Sequence, residues 1–169
     1  CNAVVLTGAS GAGKSGLQWL AAYQSRHQVR WFRLTAFANI QHLPTVWNLI
    51  EGLQPRFDAP IGIVIDDIGA GGFDIWNALS AEIPHKPGVY LLGSIRSEDR
   101  ELIAAGPNHF EFTVALDAQI AEHIWVRLFE QNKTELTHWL EAFEESEGLL
   151  LEYTHLLTRG SRLANIIGA

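Results

Sequence analysis

Residues Thr7 to Gly16 read Thr-Gly-Ala-Ser-Gly-Ala-Gly-Lys-Ser-Gly, so Gly8 and Gly13 stand five apart and Lys14 and Ser15 follow at once. Glycines let the backbone turn successive N–H groups toward one point, a lysine reaches the outer oxygens of a polyphosphate, and a serine hydroxyl ligates a hard cation. A helix starting at Lys14 aims its unpaired amides and positive dipole end at the same anion. This is the phosphate-loop spelling, and Gly8, Ala9, Ser10, Gly11, Ala12, Gly13, Lys14, Ser15 and Gly16 are the expected nucleotide-contacting residues.

Binding a phosphate is only half of a hydrolytic site. The apolar run Ile61-Gly62-Ile63-Val64-Ile65 ends in Asp66 and Asp67. Two carboxylates at the carboxyl end of a parallel strand lie where open α/β sheets bind ligands. Asp66 is expected to hold Mg²⁺ together with Ser15, and Asp67 to position the attacking water. A further strand ends Gly93-Ser94-Ile95-Arg96, which brings Ser94 to the nucleotide and Arg96 to the γ-phosphate at the same sheet edge. Lys14, Asp67 and Arg96 form the expected catalytic set, with ATP and Mg²⁺ as the cofactors.

The elements that must carry these residues alternate along the chain. Ala3 to Thr7 reads as a buried strand, and the helix from Lys14 shows Leu17, Leu20, Ala21 and Gln24 at helical spacing. A strand over residues 29–34 and a helix with Val46, Leu49, Ile50 and Leu53 on one face come next. The run from Ile61 is apolar without a break, as in a strand covered on both faces. Ile75, Trp76, Leu79 and Ile83 mark another helix, residues 88–96 a strand, Ser97 the cap of a short helix, and residues 110–116 the last strand. Alternation of this kind predicts an α/β fold, a parallel sheet sandwiched by helices. From Asp117 onward only helical periods remain, with Ile120, Ile124, Trp125 and Leu128, then Leu136, Trp139, Leu140 and Phe143. The expected division is an α/β core over 1–116 and a C-terminal helical lid over 117–169.

Composition narrows the class. The 169 residues are 47% hydrophobic and include six Trp, enough for one substantial core. The formal net charge is −7, and no Lys/Arg run suggests nucleic-acid or membrane binding. Cys1 is the only cysteine, which leaves no disulfide framework and fits a reducing cytoplasm. There is no Met anywhere, and the chain opens directly on its first strand, as expected of a segment of a longer protein.

The pieces Gly-Ala-Ser-Gly-Ala-Gly-Lys-Ser (8–15), Ile-Val-Ile-Asp-Asp-Ile (63–68) and Leu-Leu-Gly-Ser-Ile-Arg (91–96), in this order, resemble the signal-transduction NTPases with numerous domains (STAND) and, more broadly, AAA-type ATPases. The segment from Ala115 to Phe129 resembles the helix leading into the STAND lid, and residues 148–163 are similar in texture to bacterial antiviral members. The resemblance implies a slowly hydrolysing switch: ADP holds a closed form, and ATP opens a form that homo-oligomerises through this domain and fires an effector. Effector and sensor domains would lie in the same chain. Two departures stand out, since Arg96 follows Ser-Ile rather than two threonines and no winged-helix segment with a phosphate-sensing histidine is present.

Other readings compete. Asp66 to Gly69 with Asn132-Lys133-Thr134-Glu135 nearly spells a GTPase, but the second stretch follows a helical period rather than a strand, which favours ATP. A small-molecule kinase would need an arginine-bearing lid, for which Arg159 and Arg162 are the clustered candidates. An AAA-type motor and a nucleotide-binding scaffold without hydrolysis complete the set. The seven histidines show no ligand spacing.

Overall fold

The computed structural model describes residues 2–35, 40–104, 109–132 and 137–159. Cys1, Lys133, Thr134, Glu135, Leu136 and Arg162 lie outside the described residues. The chain divides into two compact units, one of residues 1–8 and 14–113, the other of residues 9–13 and 114–169.

The first unit is built on five parallel strands, β1 (Ala3–Gly8), β2 (Arg30–Leu34), β3 (Ile61–Ile65), β4 (Val89–Arg96) and β5 (Phe110–Thr113), in the order β2-β3-β4-β1-β5. Helices α1 (Lys14–Gln24), α2 (Leu43–Phe57) and α3 (Phe73–Glu82) connect and flank them. Strand alternation divides the side chains cleanly. Ala3, Val5, Ile61, Ile63, Ile65, Val89, Leu91 and Ile95 join Val46, Trp47 and Ile50 of α2 and Ile75, Trp76 and Leu79 of α3 in the main core. Val4, Val64 and Leu92 point to the other face and meet Ala22 of α1 and Trp31. Each fully buried branched side chain in the main core contributes about 1.5–3 kcal/mol, so this layer dominates the stability. Gly93 is small for a reason, because a β-carbon there would come within 2.5 Å of the Trp76 ring.

Several expectations need correction. The buried stripe of α1 is Lys14, Gln18 and Ala22, whereas Leu17, Trp19, Leu20 and Tyr23 are exposed. The stripe at i, i+4, i+8 from Lys14 faces the sheet, where Gln18 bonds the Ile65 and Leu92 carbonyls and Ala22 packs with Val64 and Leu92. On α2, Trp47 rather than Leu49 is buried, and Leu49 is 58% exposed. Ser97 does not cap a helix: residues Ser97–Leu102 form a 3-10 turn whose N-cap is Arg96, without a side-chain cap bond. Strand β5 stops at Thr113 rather than at residue 116.

In the second unit, α4 (Ala118–Asn132), α5 (Trp139–Glu145) and α6 (Leu150–Arg159) pack around Leu116, Ala121, Ala142, Tyr153, Leu156 and Leu157. The Tyr153 hydroxyl donates to the Ala121 carbonyl at 2.6 Å, which supplies the buried phenol with a partner. Burial pushes its pKa up to about 12. Ile120, expected on the inner face, is 47% exposed.

Candidate functional site

Gly11 and Gly13 adopt φ of +81° and +92°, the left-handed region open to glycine at little cost. That is how the loop turns within a few residues, with Ala12 N–H donating to the Ala9 carbonyl at 3.2 Å. In the second unit the start of α6 rests on this loop: Leu151 N–H donates to the Gly11 carbonyl at 3.1 Å, and a β-carbon on Gly13 would approach Leu150 Cδ2 to 2.6 Å.

The first unit gathers the charged and hydroxyl groups. Lys14 Nζ, largely buried, donates to the Gly8 carbonyl at 2.8 Å. Burial pulls its ammonium below the usual 10.5, with Arg96 acting the same way and Asp67, Glu98 and Asp66 opposing. Ser15 Oγ donates to Asp66 Oδ1 at 2.9 Å, and Ser94 Oγ donates to that same oxygen at 2.7 Å. Ser94 Oγ also accepts from the Asp67 N–H at 2.9 Å. Strand parity explains the meeting, since Ser94 lies on the face of β4 opposite the main core, where α1 packs.

Asp67 has φ of +50°, a left-handed conformation that aspartate tolerates better than most residues. The Ser94 bond and the fully buried Ile68 next to it hold the turn in place. The left-handed turn redirects the chain, so Asp67 leaves the strand direction and its Oδ2 meets Arg96 NH2 at 3.3 Å. Thus the structure brings Lys14, Ser15, Asp66, Asp67, Ser94 and Arg96 together in one unit. Two hydroxyls already converge on Asp66 Oδ1, an all-oxygen donor set of the hardness Mg²⁺ prefers. Among the described residues no group of three or more His, Cys, Asp or Glu could hold a metal ion. Arg159 is exposed at the end of α6, and Asn132 closes α4, a helix rather than a strand.

Two features were not read from the sequence. Gln18 is fully buried beneath the site and bridges β3 and β4. Its signal was the four-residue step from Lys14, hidden by the apolar residues around it. Arg100 holds Glu111 of β5 through Nε at 2.8 and 2.7 Å, a pairing between a turn and a strand that no local pattern announces.

A parallel sheet in this order, with the phosphate loop after β1 and the acid pair after β3, is a P-loop NTPase fold of the AAA+ kind. No family model and no curated protein matches the chain. Solved structures do: RuvB of Thermotoga maritima, a Holliday junction branch migration motor, aligns at TM-score 0.57 and 12% identity over 99% of this chain and 57% of its own. A variant of the same RuvB gives TM-score 0.61 at 12% identity with the same coverage. PCH-2 of C. elegans gives 0.56 at 13% identity over 93% of this chain and 54% of its own. Both are AAA+ ATPases, and the chain spans little more than half the length of each.

Proposed function

We propose that this chain is the ATP-binding, slowly hydrolysing switch domain of a STAND-type signalling or defence protein, in which nucleotide controls ligand-triggered homo-oligomerisation. The observation that carries this reading is the Arg96–Asp67 pair: the cation suited to reading a γ-phosphate holds the carboxylate suited to activating water. An exposed pair of this kind is worth about 0.2–1 kcal/mol. A γ-phosphate with its greater charge competes effectively for Arg96 and leaves Asp67 free to accept a proton from water. Turnover would then be gated by the substrate itself, as a slow switch requires.

In this reading Lys14 binds the β- and γ-phosphates, Ser15 and Asp66 would hold Mg²⁺, and Ser94 fixes both aspartates. Bound there, Mg²⁺ would neutralise charge on the phosphates. Asp67 orients water toward the γ-phosphorus, and ATP and water yield ADP and phosphate. The likeness to RuvB and PCH-2 also accommodates an AAA-type motor, which would turn over ATP steadily.

The size of the full-length protein with ADP, ATP and a non-hydrolysable analogue, measured by light scattering alongside phosphate release, tests the proposal. A defined oligomer that appears only with ATP or its analogue, with slow release, is the expected result. Constant size with fast release would favour the motor. Consumption of ATP only when a small acceptor is added would favour a kinase, and no nucleotide response would favour a scaffold.

A further inference from the structure

Gln18 lies one helical turn beyond Lys14 and is 0% exposed. Its Nε2 donates to the Ile65 carbonyl at 3.0 Å and to the Leu92 carbonyl at 2.9 Å, which uses both amide protons. Ile65 and Gly93 are the last register pair between β3 and β4. One residue past Ile65 comes Asp66, and two past Leu92 comes Ser94. The amide therefore ties α1 to both strands at the level where their functional residues emerge.

The remaining atom argues against a purely stabilising role. Among the described residues Gln18 Oε1 is buried without a hydrogen-bond partner. Leucine or methionine, of similar size, would bury no orphaned acceptor at this position. What those residues lack is a planar pair of donors that fixes the distance and rotation of a helix against two strands at once. Ser15 is three residues before Gln18 on that helix, and its 2.9 Å bond to Asp66 depends on how α1 is set against β3.

We infer that Gln18 is a positioning residue that sets Ser15 of α1 against Asp66 and Ser94 of the strand ends, and so governs the coupling between divalent cation and nucleotide. The inference rests on the reading of the site as one for Mg²⁺ and ATP. It acts through other residues and touches no substrate.

The test uses Gln18→Met and Gln18→Leu in the full-length protein. ATP and ADP affinities are measured by calorimetry with and without Mg²⁺, and phosphate release is followed as Mg²⁺ is titrated. Outer-shell substitutions at metal sites cost about 10–100-fold in metal affinity or activity. The expected result is ADP affinity without Mg²⁺ close to that of the parent, a Mg²⁺-linked gain in ATP affinity reduced by about tenfold or more, and a higher Mg²⁺ requirement for release. Parent-like Mg²⁺ coupling in either folded variant would overturn the inference. So would an equal loss of ATP and ADP affinity with and without Mg²⁺, which is the mark of general damage to the helix. If the parent binds ATP with Mg²⁺ linkage but releases no phosphate, the hydrolysis reading fails while the coupling measurement still decides the role of Gln18. A parent that binds no nucleotide overturns both.

Discussion

Gly8 and Arg96 are register partners across the β1–β4 pairing, so the first glycine of the phosphate loop and the arginine at the end of β4 leave the sheet at the same level. The Gly8 carbonyl accepts from Lys14, and Arg96 holds Asp67. Both cations thus engage oxygens of the protein, the very groups that the proposed nucleotide would have to displace.

Replacing Arg96 by alanine should leave ADP affinity nearly unchanged and weaken the ATP-specific response, measured as the difference between the two nucleotides in oligomer size. Equal loss for both would refute its role as a γ-phosphate sensor. Asp67→Ala should keep binding and lower phosphate release by about 10²–10⁴-fold, the usual share of a general base. Parent-like release from Asp67→Ala would remove it from the chemistry.

Lys14→Ala should abolish measurable binding of both nucleotides. The intact lysine carries a pH signature as well. Its pKa in the folded protein lies below 10.5, chiefly because burial disfavours the charge. As pH rises, Lys14 loses its proton in the folded protein before it would in the unfolded chain, so ADP affinity should decline earlier than an ordinary lysine dictates. Over the same window the unfolded chain binds more protons, and the contribution of Lys14 to stability becomes less unfavourable as pH rises. Affinity that stays flat up to pH 10.5 would contradict the burial argument.

Two neighbouring glycines should respond in opposite ways to alanine. Gly13 is left-handed, and a β-carbon there would approach Leu150 Cδ2 to 2.6 Å, so Gly13→Ala should cost about 1–3 kcal/mol. Gly16 is helical, and a β-carbon there would meet nothing within 4 Å among the described residues beyond its own helix, so Gly16→Ala should stabilise by about 0.5–1 kcal/mol. Thermal melts without nucleotide decide this. A large loss of nucleotide affinity in a stabilised Gly16→Ala would place Gly16 in direct contact with the ligand.

Glu111 lies below the usual carboxylate range, first because Arg100 hydrogen-bonds it. Its depressed pKa stabilises the fold above pH 4.5, and the contribution disappears as pH falls through the folded value. With both side chains about one-third exposed, Glu111→Gln should cost no more than about 1 kcal/mol at pH 7 and close to nothing at acid pH, by urea unfolding. A gap that stays constant down to pH 3 would show that the charge is irrelevant.

The sequence announced the loop, the acid pair and the Ser94/Arg96 edge because each depends on a local order of residue types on an alternating α/β chain. It misled where orientation depends on the whole. Leu17 and Leu20 look like a buried face of α1, yet Lys14, Gln18 and Ala22 turn inward, Lys14 bonding the Gly8 carbonyl and Gln18 the ends of β3 and β4. Trp47 and Leu49 lie on opposite edges of the apolar stripe of α2, about 200° apart, and the helix is rolled so that the Trp47 edge faces the core. Arg100 and Glu111 pair across elements, and such partners have no signature along the chain.

Trp76 is wholly enclosed, and its indole lies against Gly93, the residue just before Ser94. Ile68, which follows Asp67, touches that same glycine position. The protein therefore carries an intrinsic fluorophore behind the two residues that hold its acid pair. A rearrangement of the strand ends on nucleotide exchange would register in the emission of that ring, with no attached dye required.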